Sequence, residues 1–213
     1  MQGIKDLYSK RAGQYDLTAN LYYLIGIRIN AYRRDAVRAL NLRRGSTVLE
    51  LGCGTGLNFP FLEEVIGEEG QIIGLDLTPA MLHIARKRIH RHGWNNVELI
   101  EADVSQFELP KGVDGVFTTF ALAFMPAYQE VIRKSAQALN GGGRLVILDT
   151  KLITGPLEFL NPLGVWITKP YGGSYEAYRR KPWEEMQKHL TDVQVREYYA
   201  GFIYIASGSK ENE

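Results

Sequence analysis

Residues 47–56 read TVLELGCGTG, an apolar run that leads into three glycines spaced two residues apart. The run predicts a buried β-strand over Thr47–Leu51, and the glycines predict a tight turn at its carboxyl end. Glycine tolerates positive φ and lets a ligand approach the backbone closely. In an open parallel sheet such a turn lies in the ligand crevice. The stretch therefore indicates an α/β protein with a binding site after its first strand.

Strands and helices alternate after this turn. Pro79 follows the N-cap candidate Thr78 and opens a helix that ends at Gly93, and a second helix runs from Pro126 to the glycine turn at 140–143. This alternation predicts a doubly wound, Rossmann-like sheet, mostly parallel and covered by helices on both faces. The further parallel strands are predicted at 71–76, 97–102, 113–120 and 144–149.

The 213 residues are predicted to form one domain of ordinary globular composition, with 45% apolar and 23% charged residues. An antiparallel hairpin is expected at its end, over 193–199 and 202–206, turning at Ala200-Gly201. The three zones are a helical N-terminal cap at 1–44, a core at 45–150, and an acceptor-side cap with the closing hairpin at 151–213.

Charge and cysteine content exclude several classes of protein. The net charge of +1 argues against a general nucleic-acid binder, and a single cysteine, Cys53, permits no intramolecular disulfide and favours a reducing, cytoplasmic setting. The apolar stretch 21–29 is shorter than the roughly 20 residues of a membrane span. Residues 1–44 nevertheless carry nine Lys or Arg against three Asp, a balance of +6. A solvated helix face explains this excess most simply, and peripheral association with an anionic membrane is the alternative.

The spacing around the glycine turn decides which ligand it suits. A dinucleotide fingerprint would need glycine where Leu57 or Phe59 stands, and no lysine follows in P-loop spacing. An acid ends each of the next two strands. Asp76 can accept both ribose hydroxyls of an adenosine, and Asp103 can accept an adenine amino group.

The segments VLELGCGTG, GLDLTPAML and IEADV and the glycine turn at 141–143 resemble, in order and spacing, the motifs of class I methyltransferases that use S-adenosyl-L-methionine (SAM). The resemblance covers about residues 46–150 and implies a seven-stranded sheet. It also implies roles for single residues: Gly52, Gly54 and Gly56 beside the methionine part of SAM, Glu50 supporting their loop, Asp76 on the ribose, Met81 on the adenine, and Asp103 with Val104 at the adenine edge. Thr55, Leu77 and Phe120 complete the candidate cofactor-binding set, and no metal is expected.

The flanking segments resemble two methyltransferase groups with different acceptors. Residues 14–17 (QYDL) and 21–28 resemble the entry segment of ubiquinone and menaquinone C-methyltransferases and of bacterial phospholipid and betaine-lipid N-methyltransferases. After the fourth strand, however, residues 120–126 (FALAFMP) replace the Gly-Leu-Arg-Asn run typical of the quinone enzymes. A small or lipid-like acceptor is therefore predicted, with an amine favoured over a quinone precursor.

No catalytic base is identified in the sequence. Tyr15, as a lid residue, Phe120 and Tyr175 are candidates for a catalytic role, and the segment 171–178 (YGGSYEAY) either covers the acceptor or is an inert insertion. Two other functions compete with methyl transfer. A dinucleotide-dependent oxidoreductase is disfavoured by Leu57 and Phe59, whereas a non-catalytic SAM-binding subunit stays open, as does the oligomeric state.

Overall fold

The computed structural model describes residues 28–212, and its centre is a seven-stranded sheet. The predicted helical cap over residues 1–27, including Tyr15, lies outside the described residues. The strands are β1 (Thr47–Leu51), β2 (Gln71–Asp76), β3 (Val97–Glu101), β4 (Val113–Thr119), β5 (Leu139–Thr150), β6 (Thr191–Tyr198) and β7 (Ile203–Ser209). The α-helices are α1 (Ile29–Ala39), α2 (Phe59–Ile66), α3 (Pro79–His92), α4 (Tyr128–Ala138), α5 (Asn161–Thr168), α6 (Tyr175–Tyr178) and α7 (Pro182–Met186).

The strand order is β3-β2-β1-β4-β5-β7-β6. The first five of these strands are parallel, and β7 is antiparallel to both β5 and β6, which confirms the predicted fold class. The order reverses between β1 and β4, so the chain leaves these two neighbouring strands toward opposite faces of the sheet. That divergence opens a crevice at their carboxyl ends, directly after the glycine-rich run.

The closing hairpin turns where the sequence predicted. Tyr199, Ala200 and Gly201 all have positive φ, at 50°, 57° and 86°, and form a short 3₁₀ turn between β6 and β7. Both strands are longer than predicted. β7 is buried along most of its length because it fills the sheet between β5 and the edge strand β6.

The sequence predicted that the glycines at 141–143 end a helix. In the structure they lie within a strand instead. Helix α4 ends at Ala138, and residues 139–150 form one strand with a bulge, because Val113 pairs with Leu139 whereas Gly115 pairs with Arg144. Gly142, with φ of 76°, supplies the irregular backbone that a bulge requires. The N–H of Gly142 donates to the Lys210 carbonyl at 3.0 Å, so the bulge is held by the C-terminal segment.

The chain between β5 and β6 forms short helical pieces, as its prolines predicted. They comprise α5, α6, α7 and two 3₁₀ helices at Gly155–Leu160 and Lys169–Tyr171. Within residues 28–212, no helix has the length and apolar character needed to cross a bilayer.

Phe59 anchors α2 beneath the glycine loop. Its side chain is fully buried, and a Cβ atom added at Gly56 would lie 2.5 Å from its ring. The ring also meets Trp94 edge-on, with 6.5 Å between ring centroids. The start of α2 and the loop before it are therefore packed as one unit.

We expect Phe59→Ala to lower the free energy of unfolding by about 3–5 kcal/mol, since it leaves a cavity in a closed part of the core. Phe159→Ala is the matched control: Phe159 is 70% exposed, and its loss should change stability by less than about 0.5 kcal/mol. Urea denaturation of both variants measures the difference. Equal losses would contradict the packing described for Phe59.

Candidate functional site

The glycine-rich loop is a hydrogen-bonded turn attached to the end of β2. The N–H groups of Gly52 and Cys53 both donate to the Leu75 carbonyl, at 2.8 and 2.9 Å. A Cβ atom added at Gly52 would lie 2.6 Å from the Cβ of Ala121, so only glycine lets the two loops meet there. At Gly54 an added Cβ would meet nothing within 4 Å. Gly54 therefore faces open space while Gly52 faces protein.

Asp76 fixes this loop relative to the next helix. One carboxylate oxygen (Oδ2) accepts the N–H of Gly54 at 2.8 Å, and the other (Oδ1) accepts the N–H of Thr78 at 2.8 Å. Burial raises the pKa of Asp76 above its ordinary value, and these two backbone donors act in the opposite direction. The carboxylate thus lines the crevice and holds its two walls at a set separation.

Asp103 follows β3 on the same edge of the sheet. Its Oδ1 accepts the backbone N–H of Ser105 at 2.9 Å and the Ser105 hydroxyl at 2.6 Å. The N–H of Ala102 donates to the Asp76 carbonyl at 3.1 Å, which ties the ends of β2 and β3 together. Both predicted acids therefore lie on one cleft.

The cleft collects most of the predicted cofactor-binding residues. Those that line it are Gly52, Gly54, Asp76, Leu77, Met81, Asp103, Val104 and Phe120. Six further lining residues escaped the sequence analysis: Thr78, Ala102, Thr119, Ala121, Phe124 and Met125. Ala121, Phe124 and Met125 belong to the segment quoted above as a departure from the quinone enzymes, which is the signal that could have placed them in the cleft.

Three predicted residues lie behind the loop instead of on the cleft. Thr55 is buried, and its carbonyl accepts Arg88 Nε at 2.9 Å. Gly56 has φ of 74° and packs on the Phe59 ring. Glu50 is completely buried at the end of β1. Their positions suit shaping of the loop more than direct contact with a ligand.

Glu50 belongs to a buried polar network that the sequence did not reveal. Its Oε1 accepts the amide of Asn58 at 2.5 Å, and that amide also donates to the Thr119 hydroxyl at 2.9 Å. Arg33 Nη1 donates to Asn58 Oδ1 at 2.7 Å and to Thr119 Oγ1 at 2.9 Å. Neither Arg33 nor Asn58 stands out in the sequence, because α1 carries three further charged residues, Arg34, Asp35 and Arg38. The network joins both helices to β1 and β4.

The ionisation of Glu50 is dominated by burial. Desolvation raises its pKa from 4.5 to about 8, although the Asn58 hydrogen bond and the Arg33 charge lower it. Its second oxygen, Oε2, is buried with no hydrogen-bond partner among residues 28–212. A protonated Glu50 supplies no negative charge to the cleft, and its hydrogen bond to Asn58 fixes that amide beneath the glycine loop.

The segment after β4 forms the other wall of the cleft. Phe120 has φ of 53°, and its N–H donates to the Leu148 carbonyl at 2.8 Å. The guanidinium carbon of Arg33 lies 5.5 Å from the centre of the Phe120 ring. The N–H of Ala123 donates to the buried carboxylate of Asp149 at 3.0 Å, and burial raises the pKa of Asp149 to about 6. An apolar wall is thus supported by polar groups behind it.

The chain after β5 reaches this wall. A Cβ atom added at Gly172 would lie 3.3 Å from the Phe124 ring, and Arg180 Nη1 donates to the carbonyls of Ala123 and Met125 at 3.3 and 2.9 Å. Tyr175, a candidate catalytic residue, is 40% exposed and is not among the residues that line the cleft. The segment 171–178 therefore meets the cleft wall at Gly172, and Tyr175 does not line the cleft.

An open sheet with a glycine loop at its switch point, and acids after β2 and β3, defines a SAM-dependent methyltransferase. The model of the ubiE/COQ5 methyltransferase family matches residues 1–180, and this chain belongs to that family. It is an enzyme of the SAM-dependent methyltransferase class.

Relatives and solved structures agree with this assignment. The chain is 32% identical over 202 residues to a demethylmenaquinone methyltransferase of Geobacillus kaustophilus (strain HTA426), covering 84% of this chain and 85% of the relative. It is 28% identical over 182 residues to the demethylmenaquinone methyltransferase of Listeria monocytogenes serotype 4b (strain CLIP80459), covering 82% and 77%. A SAM-dependent methyltransferase from Aquifex aeolicus has the same fold, with a TM-score of 0.63 and 18% identity over 84% of this chain and 89% of that one.

A phosphoethanolamine N-methyltransferase 2 from Haemonchus contortus shares the fold as well. Its TM-score is 0.65 at 15% identity, over 81% of this chain and 50% of that one. At this identity the likeness concerns the fold alone.

The pKa of Glu50 generates a prediction about stability and pH. Because the folded-state pKa lies near 8 and the ordinary value is 4.5, the folded protein binds more protons than the unfolded chain between these pH values. Stability then falls as pH rises through this window, by up to ~1.4 kcal/mol per unit of pKa shift.

We expect Glu50→Gln to remove this loss, since glutamine keeps an acceptor for Asn58 and carries no charge. Thermal unfolding of the ligand-free protein should show the variant more stable than the parent at pH 8 and nearly equal at pH 5. A constant difference at both pH values would show that Glu50 does not titrate in this window.

Proposed function

We propose that the cleft holds SAM through the residues that line it. Bound SAM supplies an electrophilic methyl group on its sulfonium. Asp76 would accept hydrogen bonds from the ribose hydroxyls, Asp103 would accept the adenine amino group, and Met81 would pack on the adenine ring. Gly52 and Gly54 would allow the methionine part to pass close to the backbone. The support is the open face of Gly54, which lies on the same cleft as the carboxyl groups of Asp76 and Asp103, so that two acidic residues face a cationic ligand.

We further propose that the acceptor is an amine carried by a lipid-like molecule. The observation that carries this proposal is the composition of the wall after β4. Phe120, Ala121, Phe124 and Met125 present apolar and aromatic surface to the cleft. Such surface accommodates hydrocarbon, and aromatic faces also stabilise the cationic nitrogen that forms as an amine is methylated.

The chemistry of an amine acceptor fits the residues present. A neutral amine attacks the methyl group in line through its lone pair, and the enzyme needs to hold it at roughly 3–3.5 Å and exclude water. An alkylammonium group gives up one proton to bulk water before the attack, and the methylated nitrogen takes over the positive charge of the sulfonium. Among residues 28–212, the acids lining the cleft are Asp76 and Asp103, both assigned to SAM. No base on the acceptor side is required for this reaction.

A quinone precursor is the second candidate acceptor. The names of the relatives from Geobacillus and Listeria favour it. Methylation at a ring carbon has to be followed by loss of the proton on that carbon, so it calls for a base beside the acceptor. The apolar segment 120–126 offers none, and for this reason we place the amine first.

The role of Asp76 is tested by SAM binding. We expect Asp76→Asn to weaken SAM and S-adenosylhomocysteine at least tenfold, about 1.4 kcal/mol. An amide nitrogen would face the N–H of Gly54 or Thr78, so the variant loses both a ribose acceptor and the loop geometry. Calorimetric titration of both ligands measures the change.

Asp114→Asn is the matched control for this measurement. Asp114 Oδ2 also accepts a backbone N–H, that of Thr47 at 2.8 Å, but it lies at the opposite end of the sheet. The Asp114→Asn variant should bind SAM with the same affinity as the parent protein. Equal weakening by the two substitutions would reject a local role for Asp76.

The acceptor is tested by offering both candidates to the same preparation. We expect methyl transfer from radiolabelled SAM to phosphatidylethanolamine in detergent micelles, and no transfer to demethylated menaquinol. Asp76→Asn serves as the reference, because its weaker binding of SAM should lower transfer to either acceptor when SAM is below saturation. Transfer to the quinol alone would overturn the amine proposal and leave the SAM site intact. Tight SAM binding without transfer to either acceptor would favour the non-catalytic subunit considered above.

A further inference from the structure

An apolar stripe faces solvent on the chain between β5 and β6. Phe159 lies in the 3₁₀ helix at Gly155–Leu160, and Leu163 and Trp166 lie three residues apart on α5, which follows it directly. Their side chains are 70%, 54% and 71% exposed. Large apolar side chains scattered singly are ordinary on a protein surface, but three within eight consecutive residues are a concentration of exposed apolar surface that calls for a partner.

The opposite face of α5 is already occupied. A Cβ atom added at Gly164 would lie 2.8 Å from the ring of Phe202 in the core, and Thr168, four residues later, is buried. Leu160 and Val165 pack against the same core cluster. The helix is therefore fixed with its stripe outward, and rotation cannot bury Phe159, Leu163 and Trp166.

The composition of this segment selects a bilayer as the partner. Residues 159–168 contain no charged side chain, and the exposed Lys169 follows immediately. A short helix that is apolar outward, carries Trp and Phe on its stripe and has lysine at its end matches elements that lie in the bilayer interface. With eight residues, α5 is far too short to cross the membrane.

We propose that Phe159, Leu163 and Trp166 form a docking surface for a phospholipid bilayer, with α5 lying in the plane of the interface. The 3₁₀ helix at Lys169–Tyr171 and Gly172 connect α5 directly to Phe124 on the cleft wall. Docking by this stripe would hold the acceptor side of the cleft next to the lipid. Because the stripe inserts hydrocarbon, binding persists at high salt, unlike attraction through surface charge alone.

The test uses the full chain and sonicated vesicles made of equal parts of phosphatidylcholine and phosphatidylglycerol. Trp166 is one of three tryptophans; of the other two, Trp94 stacks on His92 and Trp183 meets the Tyr204 ring edge-on. We expect vesicles to shift the emission of Trp166 to the blue, and Trp166→Phe to abolish the shift while the protein still sediments with the vesicles.

Phe159→Ser combined with Trp166→Ser should reduce the partition coefficient by about tenfold or more. Val195→Ser is the control, because Val195 is a 38% exposed apolar residue on the edge strand β6, away from the stripe. This variant should bind vesicles as tightly as the parent protein does. The measurement is made without SAM or acceptor, so it is independent of the proposed reaction.

Three outcomes would overturn the proposal. One is equal vesicle binding by the parent and the double serine variant. Another is binding that disappears in half-molar salt, which would assign it to basic residues. The third is a parent protein that does not bind vesicles but forms a dimer, measured by light scattering, that the double serine variant does not form. That result would assign the stripe to contact with a second copy of the chain.

Discussion

A carboxylate buried beneath a ligand loop needs hydrogen bonds to remain there, and this requirement organises the centre of the molecule. Glu50 finds its donor in Asn58, which is oriented in turn by Arg33 and Thr119. The four residues come from β1, the start of α2, α1 and the end of β4. Because an unsatisfied buried polar group costs about 1–3 kcal/mol, these elements are held to one another at the point where the cleft opens.

The same network shapes the acceptor side. Thr119 is its last member on β4, and the next residue, Phe120, leaves the strand with a positive φ, a conformation that costs a non-glycine residue roughly 1–2 kcal/mol. The Arg33 guanidinium lies over the Phe120 ring and bonds to Thr119, so it stabilises both sides of this bend. A residue of α1, remote in sequence from the glycine loop, thereby positions the cleft wall.

The parts of the structure that the sequence predicted are those encoded by local spacing. The strand before Gly52, the acids after β2 and β3, and the hairpin turn at Ala200-Gly201 each follow from residues within a few positions of one another. The bulge at 141–143 was predicted wrongly as a turn, because three glycines suit either structure and the choice depends on pairing with Lys210. Nothing local could reveal that choice.

The buried network escaped prediction for a related reason. Arg33 and Asn58 are 25 residues apart, and Arg33 and Thr119 are 86 apart. Each looks like an ordinary surface residue in its own segment, and only the packing of α1 against the core brings them together. Thr55 and Gly56 were predicted to bind the cofactor because they belong to the glycine-rich motif. In the structure the loop backbone directs both away from the cleft, toward the core.

The part of the site proposed for SAM and the part proposed for the acceptor are formed by different sets of loops, and the sequence predicts the first far better than the second. The donor half is built from backbone turns and strand-end acids, whose positions follow from the sheet itself. The acceptor half depends on two segments without regular pattern, the one after β4 and the one after β5. Arg180 joins them by donating to the carbonyls of Ala123 and Met125. The acceptor half can therefore change in composition while the strand ends that form the donor half stay the same, and relatives that share the family need not share an acceptor.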